Sequence, residues 1–264
     1  MALSISNSRI KQPSNKAFTL VELAIVLVII GLIISGILVG QDLVRSAENR
    51  AIISQIDKYN AAVNSFRNKF NAIPGDFAQA IAYINTAAQN GDGNGILYSA
   101  AGSSATLVTL IAGASATAGQ ELVQFWYQLS QLSMIEGNYD GSKLITVLGT
   151  NFPLTKSNRG GIIAYGGTDS INYYHIGLTP AASTTITTAN NLTTDSALLI
   201  DVKMDDGKAD TGVVQARGGV LLEATASSSA LGATTTPGCV VTASLSIYNT
   251  GSTGYLCQLR IKFM

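Results

Sequence analysis

Between residues 18 and 40 the chain reads FTLVELAIVLVIIGLIISGILVG, apolar at nearly every position, with Glu22 its one acid. As a helix rising about 1.5 Å per residue this run is about 34 Å long, enough to cross a hydrocarbon core about 30 Å thick. Downstream the pattern changes face rather than period. Ile52, Ile56, Tyr59, Val63, Phe66 and Phe70 recur at alternating steps of four and three, a single apolar stripe with Asp57, Lys58, Asn64 and Lys69 off it. Ile73-Pro74-Gly75 stops the pattern, because the residue before proline leaves the α region and glycine admits a turn. The spacing predicts one helix from about 18 to 71, about 80 Å long, whose second half needs a surface to cover its stripe.

Shorter elements follow. Asp76 is placed to cap a second helix over roughly 77–88, and NGDGNG then makes a tight turn. GQELVQFWYQLSQLSMIEG reads as an amphipathic helix with Leu122, Phe125, Leu129 and Leu132 on one face and Trp126 beside them, a core stripe rather than a ligand box. GGIIAYGG, INYYHIGL, TGVVQARGG and the pair CVVTASLSIYN and TGYLCQLRIKF are short, β-branched or aromatic, and bounded by Gly or Asn, so they read as strands. A short helix ending near Lys203 is expected between them. The Ser/Thr/Ala runs at 181–188 and 224–236 read as surface loops. A long helix followed by an antiparallel sheet is an α+β arrangement in which the stripe from Ile52 to Phe70 covers one sheet face. The last two strands are expected at the edge of that sheet.

Composition narrows the function classes. The chain is 47% hydrophobic and 12% charged, which describes an anchored globular protein rather than a disordered one. Sixteen basic residues balance sixteen acidic ones. With Arg9, Lys11 and Lys16 set aside, thirteen basic residues face sixteen acids and form no basic run, which argues against a nucleic-acid partner. Those three bases precede the apolar run with no acid among them, so the positive-inside rule keeps residues 1–16 cytoplasmic and sends the rest outward. The two cysteines, Cys239 and Cys257, have neither CxxC spacing nor histidine neighbours. They read as a disulfide worth about 3 kcal/mol in the chain-entropy model, or else as a buried free pair.

Three alternatives compete for the apolar run: a cleaved secretory signal, a plain signal anchor, and a segment that uses its acid. The run exceeds a secretory core of about 7–15 residues, and the following QDLVRSAENR carries Arg45 where a small residue would be wanted. Glu22 itself has two readings. Thr19-x-x-Glu22 is a capping box that satisfies the helix's first free N–H groups. Alternatively, the carboxylate has a partner outside its own chain.

The order of residues favours the second reading. KAFTLVELAIVLVIIGLI resembles the N-terminal processing motif of type IV prepilins and type II secretion pseudopilins: a basic leader, a small residue, then Phe-Thr-Leu-x-Glu opening a long apolar helix. FRNKFNAIPGDF is similar to the helix end of a subset of pilin-like proteins. The resemblance covers about residues 11–78. It implies cleavage by a prepilin peptidase between Ala17 and Phe18, N-methylation of Phe18, and pairing of Glu22 with the terminal amine of a neighbouring subunit during assembly. Ala17 stands where the family usually has Gly, and Val39 where many members have Pro. The implied fold is pilin-like: a leader at 1–17, a transmembrane and assembly half-helix at 18–40, and an extracytoplasmic head at 41–264 that holds the second half-helix. The implied partners are other pilin or pseudopilin subunits, the peptidase and an inner-membrane assembly platform. The implied location is the bacterial inner membrane, single-pass, and then a periplasmic or extracellular fibre. In pilins the disulfide-bounded region commonly contacts neighbouring subunits. Gly31-x-x-x-Ser35 and Gly36-x-x-x-Gly40 would let such helices approach closely. The competing function is an uncleaved, signal-anchored periplasmic binding protein that never polymerises.

No cofactor is required by this reading, but two acidic turns have calcium-ligand character. Asn90, Asp92 and Asn94 fall at alternate positions with Gly95 sixth, as in the first half of an EF-hand loop, although the twelfth position is Ala101 rather than Glu. In MDDGKADTG, Asp205, Asp206 and Asp210 would converge if the backbone folds back, and some pseudopilins bind calcium in a C-terminal loop. Each turn also reads as a solvated Gly/Asn/Asp turn without metal. His175 is the one histidine, no GxSxG elbow or phosphate-binding loop is present, and the chain reads as a non-enzyme.

Overall fold

The computed structural model describes residues 19–97, 118–141, 147–167, 169–178, 189–217, 238–241 and 244–263. It divides into two compact units, Met1–Val44 and Arg45–Met264. Helix α1, Leu20–Phe70, passes from the first into the second.

In the first unit the described part of α1 is exposed along its length, Leu20, Leu27, Leu32 and Leu38 among its bare apolar residues. A Cβ added at Gly31, Gly36 or Gly40 would meet nothing. In the second unit α1 buries Ile52, Ile56, Tyr59, Val63 and Phe66, and Phe70, the last position of the predicted stripe, is partly buried against the same core.

The stripe meets an antiparallel sheet and a third helix. Strands β1 (Gly161–Gly166), β2 (Asn172–Leu178), β3 (Leu192–Thr193), β4 (Val214–Arg217) and β7 (Tyr255–Lys262) form one sheet. Strands β5 (Val240–Val241) and β6 (Ser244–Tyr248) form a separate two-stranded ladder. Helices α2 (Ala80–Tyr83), α3 (Ala118–Gln131) and α4 (Thr194–Met204) complete the order. An aromatic cluster fastens the layers. The Tyr59 ring on α1 lies 4.9 Å from Trp126 on α3 and 6.1 Å from Tyr174 on β2, and Tyr174 lies 4.3 Å from Phe263. The α+β architecture, a long helix whose second half packs with an antiparallel sheet, is pilin-like.

Three details differ from the sequence expectation. The C-terminal strand is central, not an edge: β7 pairs β2 along Leu259–Lys262 on one side, and β4 and β3 on the other. Cys257, Gln258 and Leu259 are all buried, as a strand covered on both faces requires. The second helix shrinks to Ala80–Tyr83 because Asp76 does not cap it. Ile84 N closes it by donating to Ala80 O, and Asn85 then starts a separate turn, its Oδ1 accepting from the N–H groups of Ala87 and Ala88 at 3.0 and 2.9 Å. Helix α3 ends at Gln131 and is buried all round from Glu121 to Leu129 rather than on one face. Its polar positions are spent on loops: Gln124 Nε2 donates to Gly141 O at 2.9 Å, and Gln128 Oε1 accepts from Gly75 N at 2.8 Å.

Candidate functional site: the capped apolar helix and two acidic clusters

Glu22 closes the capping box at the described start of α1. Its Oε2 accepts from both Thr19 N and Thr19 Oγ1 at 2.8 Å, and Thr19 Oγ1 accepts from Glu22 N at 3.2 Å. Both bonds to the carboxylate go to Oε2, so Oε1 has no partner among the described residues. From Leu23 to Gln41 the helix carries no further charge, and its apolar side chains are bare. Such a surface is stable only in lipid or against other apolar helices. Ala17 and Phe18 lie outside the described residues.

The comparison with known families decides what this segment is. The model of the prokaryotic N-terminal methylation motif matches residues 12–38, the stretch that holds Ala17, Phe18 and Glu22. The chain carries the type IV prepilin and pseudopilin signature. No curated protein and no solved structure matches the chain. The prepilin-type motif and the long apolar helix together fit a membrane-anchored, pilin-type subunit.

In the head of this prepilin-type chain the predicted disulfide partners meet. Cys239 and Cys257 are bonded, with Cα atoms 4.9 Å apart and both side chains fully buried. The bond ties the central strand β7 to the approach of β5, not to the sheet's edge.

The acidic turns gather differently from their sequence spacing. Asp92 converges with Asp76 and Glu121, each offering an oxygen within 4.8 Å of the others. Asn94 does not join as a free oxygen donor. Its Nδ2 donates to Asp92 Oδ2 at 2.7 Å, and its Oδ1 accepts from Ile96 N at 2.7 Å. Asn90 Oδ1 accepts from Ile81 N. Asp76, missed as a member, is buried under the turn and accepts from Gly93 N at 2.7 Å, Asn94 N at 3.2 Å and Gly95 N at 2.7 Å. Gly93 and Gly95 supply that nest because both sit at positive φ, 75° and 85°. Burial outweighs the N–H donors and pushes the Asp76 carboxyl up to about 6, with Asp92 adding a like charge beside it.

The second cluster is Asp201, Asp205 and Asp206. Asp210 stays outside it, with a buried Oδ1 that has no hydrogen-bond partner among the described residues. Asp201 replaces it from the last turn of α4. A helical residue four before the acidic turn gave no sequence signal of its own. Its Oδ2 accepts from Tyr248 Oη at 2.7 Å and its Oδ1 from Gly207 N at 3.1 Å. Burial pushes its carboxyl up to about 6 against both of those bonds. Asp205 Oδ2 accepts from Val213 N and Val214 N, and Asp206 takes Lys208 N and Thr211 Oγ1, both at 2.9 Å. Three hard carboxylates suit calcium by donor type, and each retains lone-pair capacity, at Asp205 on Oδ1 because Oδ2 already accepts twice.

His175 is fully buried on β2, where its Nε2 donates to Gln258 Oε1 at 2.8 Å. Burial lowers its pKa to about 3, and the cations Arg217 and Arg260 add to the shift. A neutral imidazole sealed in a sheet is a structural residue rather than an accessible base.

Proposed function

We propose that this chain is a structural subunit of a type IV pilus or type II secretion pseudopilus. In this reading a prepilin peptidase cuts between Ala17 and Phe18 on the cytoplasmic side, Phe18 is N-methylated, and the run at 18–40 holds the subunit in the inner membrane. Subunits then polymerise through that helix on an inner-membrane assembly platform, and the chain performs no turnover.

The observation that carries the reading is the half-used carboxylate of Glu22. An uncompensated charge in lipid is costly, and a neighbour's terminal ammonium relieves that cost. Oε2 stabilises the chain's own helix end while Oε1 is left to take the neighbour, so capping and assembly need not compete. A docking subunit gains both the ion pair and contact along the bare apolar face, with register fixed by the pair. At the head, calcium would be held by Asp201, Asp205 and Asp206, where it would neutralise three crowded carboxylates and stiffen the turn after α4.

The rival reading, an uncleaved anchored binding protein, has one observation in its favour. A groove of about 860 Å³ runs along α1 between Gln55 and Ser65, with Met134, Ile135 and Leu154 opposite, a volume suited to small ligands. At its rim Glu136 bridges Lys58 and Lys156 at 3.4 and 3.6 Å. Mass spectrometry of the N-terminus of protein taken from its native membrane separates the two. A chain beginning at N-methyl-Phe18 supports the subunit; one beginning at Met1 in the presence of the peptidase refutes it.

A further inference from the structure

The groove along α1 between Gln55 and Ser65 lies wholly within the unit Arg45–Met264, and its polar groups are already engaged. Gln55 Nε2 donates to Tyr59 Oη and to Leu154 O, both at 2.8 Å, and Gln55 Oε1 accepts from Lys156 N at 3.0 Å. Ser65 Oγ donates to Ala61 O at 2.8 Å. A site for a small polar ligand needs a few polar groups converging on the occupant; here they turn back onto the chain. What remains open is an apolar trough walled by Met134, Ile135 and Leu154, with its charges at the rim. Lys58 and Lys156, their side chains 62% and 51% exposed, bond separate oxygens of Glu136. An ammonium has three donors, so each lysine can take a further carboxylate beside Glu136.

Helix α4 carries the complementary order. Asp195, Leu199 and Val202 follow steps of four and three, which puts them on one helix face, and all three are exposed. The two apolar members are 44% and 56% exposed. Asp206, four residues further and just past the helix end, is exposed as well. Lys203 lies at the edge of this face, but between 195 and 210 five aspartates stand against two lysines. An acid, two apolar residues and an acid thus face outward on α4, and two bases border an apolar trough on the groove.

We propose that the groove of one subunit takes the exposed face of α4 from a second copy of this chain, with Leu199 and Val202 entering the trough and Asp195 and Asp206 meeting the rim lysines. This is helix-in-groove docking, apolar anchors inside and charges at the border. Groove and helix are different surfaces of one head, so the contact is heterologous: each subunit offers one of each, and the series of contacts can extend without closing. The proposal rests on the subunit reading and names the head surfaces that meet.

The test is thiol cross-linking of full-length chains, in sheared fibres and in the membrane fraction. The two native cysteines are bonded to each other, so introduced thiols are the ones that react. Cells co-express an Ala61→Cys chain, altered at an exposed position of the groove, and a Lys203→Cys chain, altered at the edge of the α4 face, with tags of different size. A short bismaleimide should give the mixed dimer and neither dimer of like chains. Lys58→Glu in the first chain should lower its yield about fivefold, the effect of one ion pair. Either Asp195→Lys or Asp206→Lys in the second should restore it, whichever acid meets Lys58. Dimers of like chains without the mixed one would overturn the proposal, as would a yield indifferent to Lys58→Glu or a loss that neither reversal rescues. Fibres without the mixed dimer would overturn the contact and leave the subunit reading standing, the result expected if a small molecule or another protein fills the groove. Absence of fibres from the unmodified chain would remove the subunit reading, and the mixed dimer in the membrane fraction would still decide the contact.

Discussion

Glu22 bonds Thr19 through one carboxylate oxygen, at 2.8 Å from both the amide nitrogen and the hydroxyl, and its other oxygen has no partner among the described residues. Capping and assembly therefore separate by mutation. Thr19→Val removes the hydroxyl that bonds Glu22 and costs about 1 kcal/mol of helix-end stability, but it keeps the free oxygen. Glu22→Ala removes both. Fibres sheared from cells should contain the Thr19 variant at near wild-type levels and none of the Glu22 variant, while circular dichroism finds both heads folded. Wild-type incorporation of Glu22→Ala would end the role assigned to that carboxylate.

The disulfide closes a loop between residues 18 apart in sequence. In the chain-entropy account its loss costs about 3 kcal/mol. Because Cys257 lies in the sheet's central strand, the cost should fall on the whole head rather than on a peripheral hairpin. Cys239→Ser/Cys257→Ser should lower the midpoint of denaturant unfolding as one cooperative transition. A second, separate transition would show that the β5–β6 ladder unfolds alone.

How much of this was legible follows from what kind of signal each element carries. The stripe from Ile52 to Phe70 and the helix expected to end near Lys203, which ends at Met204, were visible because helical period and flanking turn residues are local properties. The capping box was equally local: Thr19 and Glu22 are three apart, and the structure closes it as the spacing allows. The position of β7 was not legible. Whether a strand lies at the centre depends on strands far away in sequence, and the alternation of Cys257, Leu259 and Ile261 looks the same at an edge. Asp76 misled for a related reason: an Asp after Pro-Gly is a good cap, but three N–H groups from the 93–95 turn offered its carboxylate more. Glu121 and Asp201 sat unremarked inside helices, since only the fold brings them to the acidic turns.

His175 offers a clean pH test because it is the chain's one histidine. Its folded pKa, about 3, lies below the ordinary value of 6.5, so the unfolded chain binds the extra proton in between. Stability from the neutral imidazole is present above pH 6.5 and lost as pH falls toward 3. At pH 5 the loss is about 2 kcal/mol. The His175 Hε1 resonance should not move between pH 8 and pH 5, and His175→Phe should flatten the acid limb of the stability curve relative to the parent. A resonance that titrates near 6.5 would mean the ring is solvated and the sheet face open.

Calcium is tested by its mass action on the head. An ion that binds the folded chain and not the unfolded one adds about 2.7 kcal/mol at a hundredfold excess over its Kd. If Asp201, Asp205 and Asp206 hold it, calcium should raise the Tm by several degrees, and a chelator should reverse the shift. Asp206 is the exposed member, and its bonds to Lys208 N and Thr211 Oγ1 can largely be kept by an amide, so Asp206→Asn removes charge with little damage to the turn. In that variant the calcium shift should fall while the calcium-free Tm holds. The other cluster supplies the control: Asp92→Asn should leave the shift unchanged if the ion sits after α4, and should abolish it if the ion sits with Asp76 and Glu121. A Tm indifferent to calcium in the parent chain would return all six carboxylates to the role their hydrogen bonds already show, which is to fold two turns against the core.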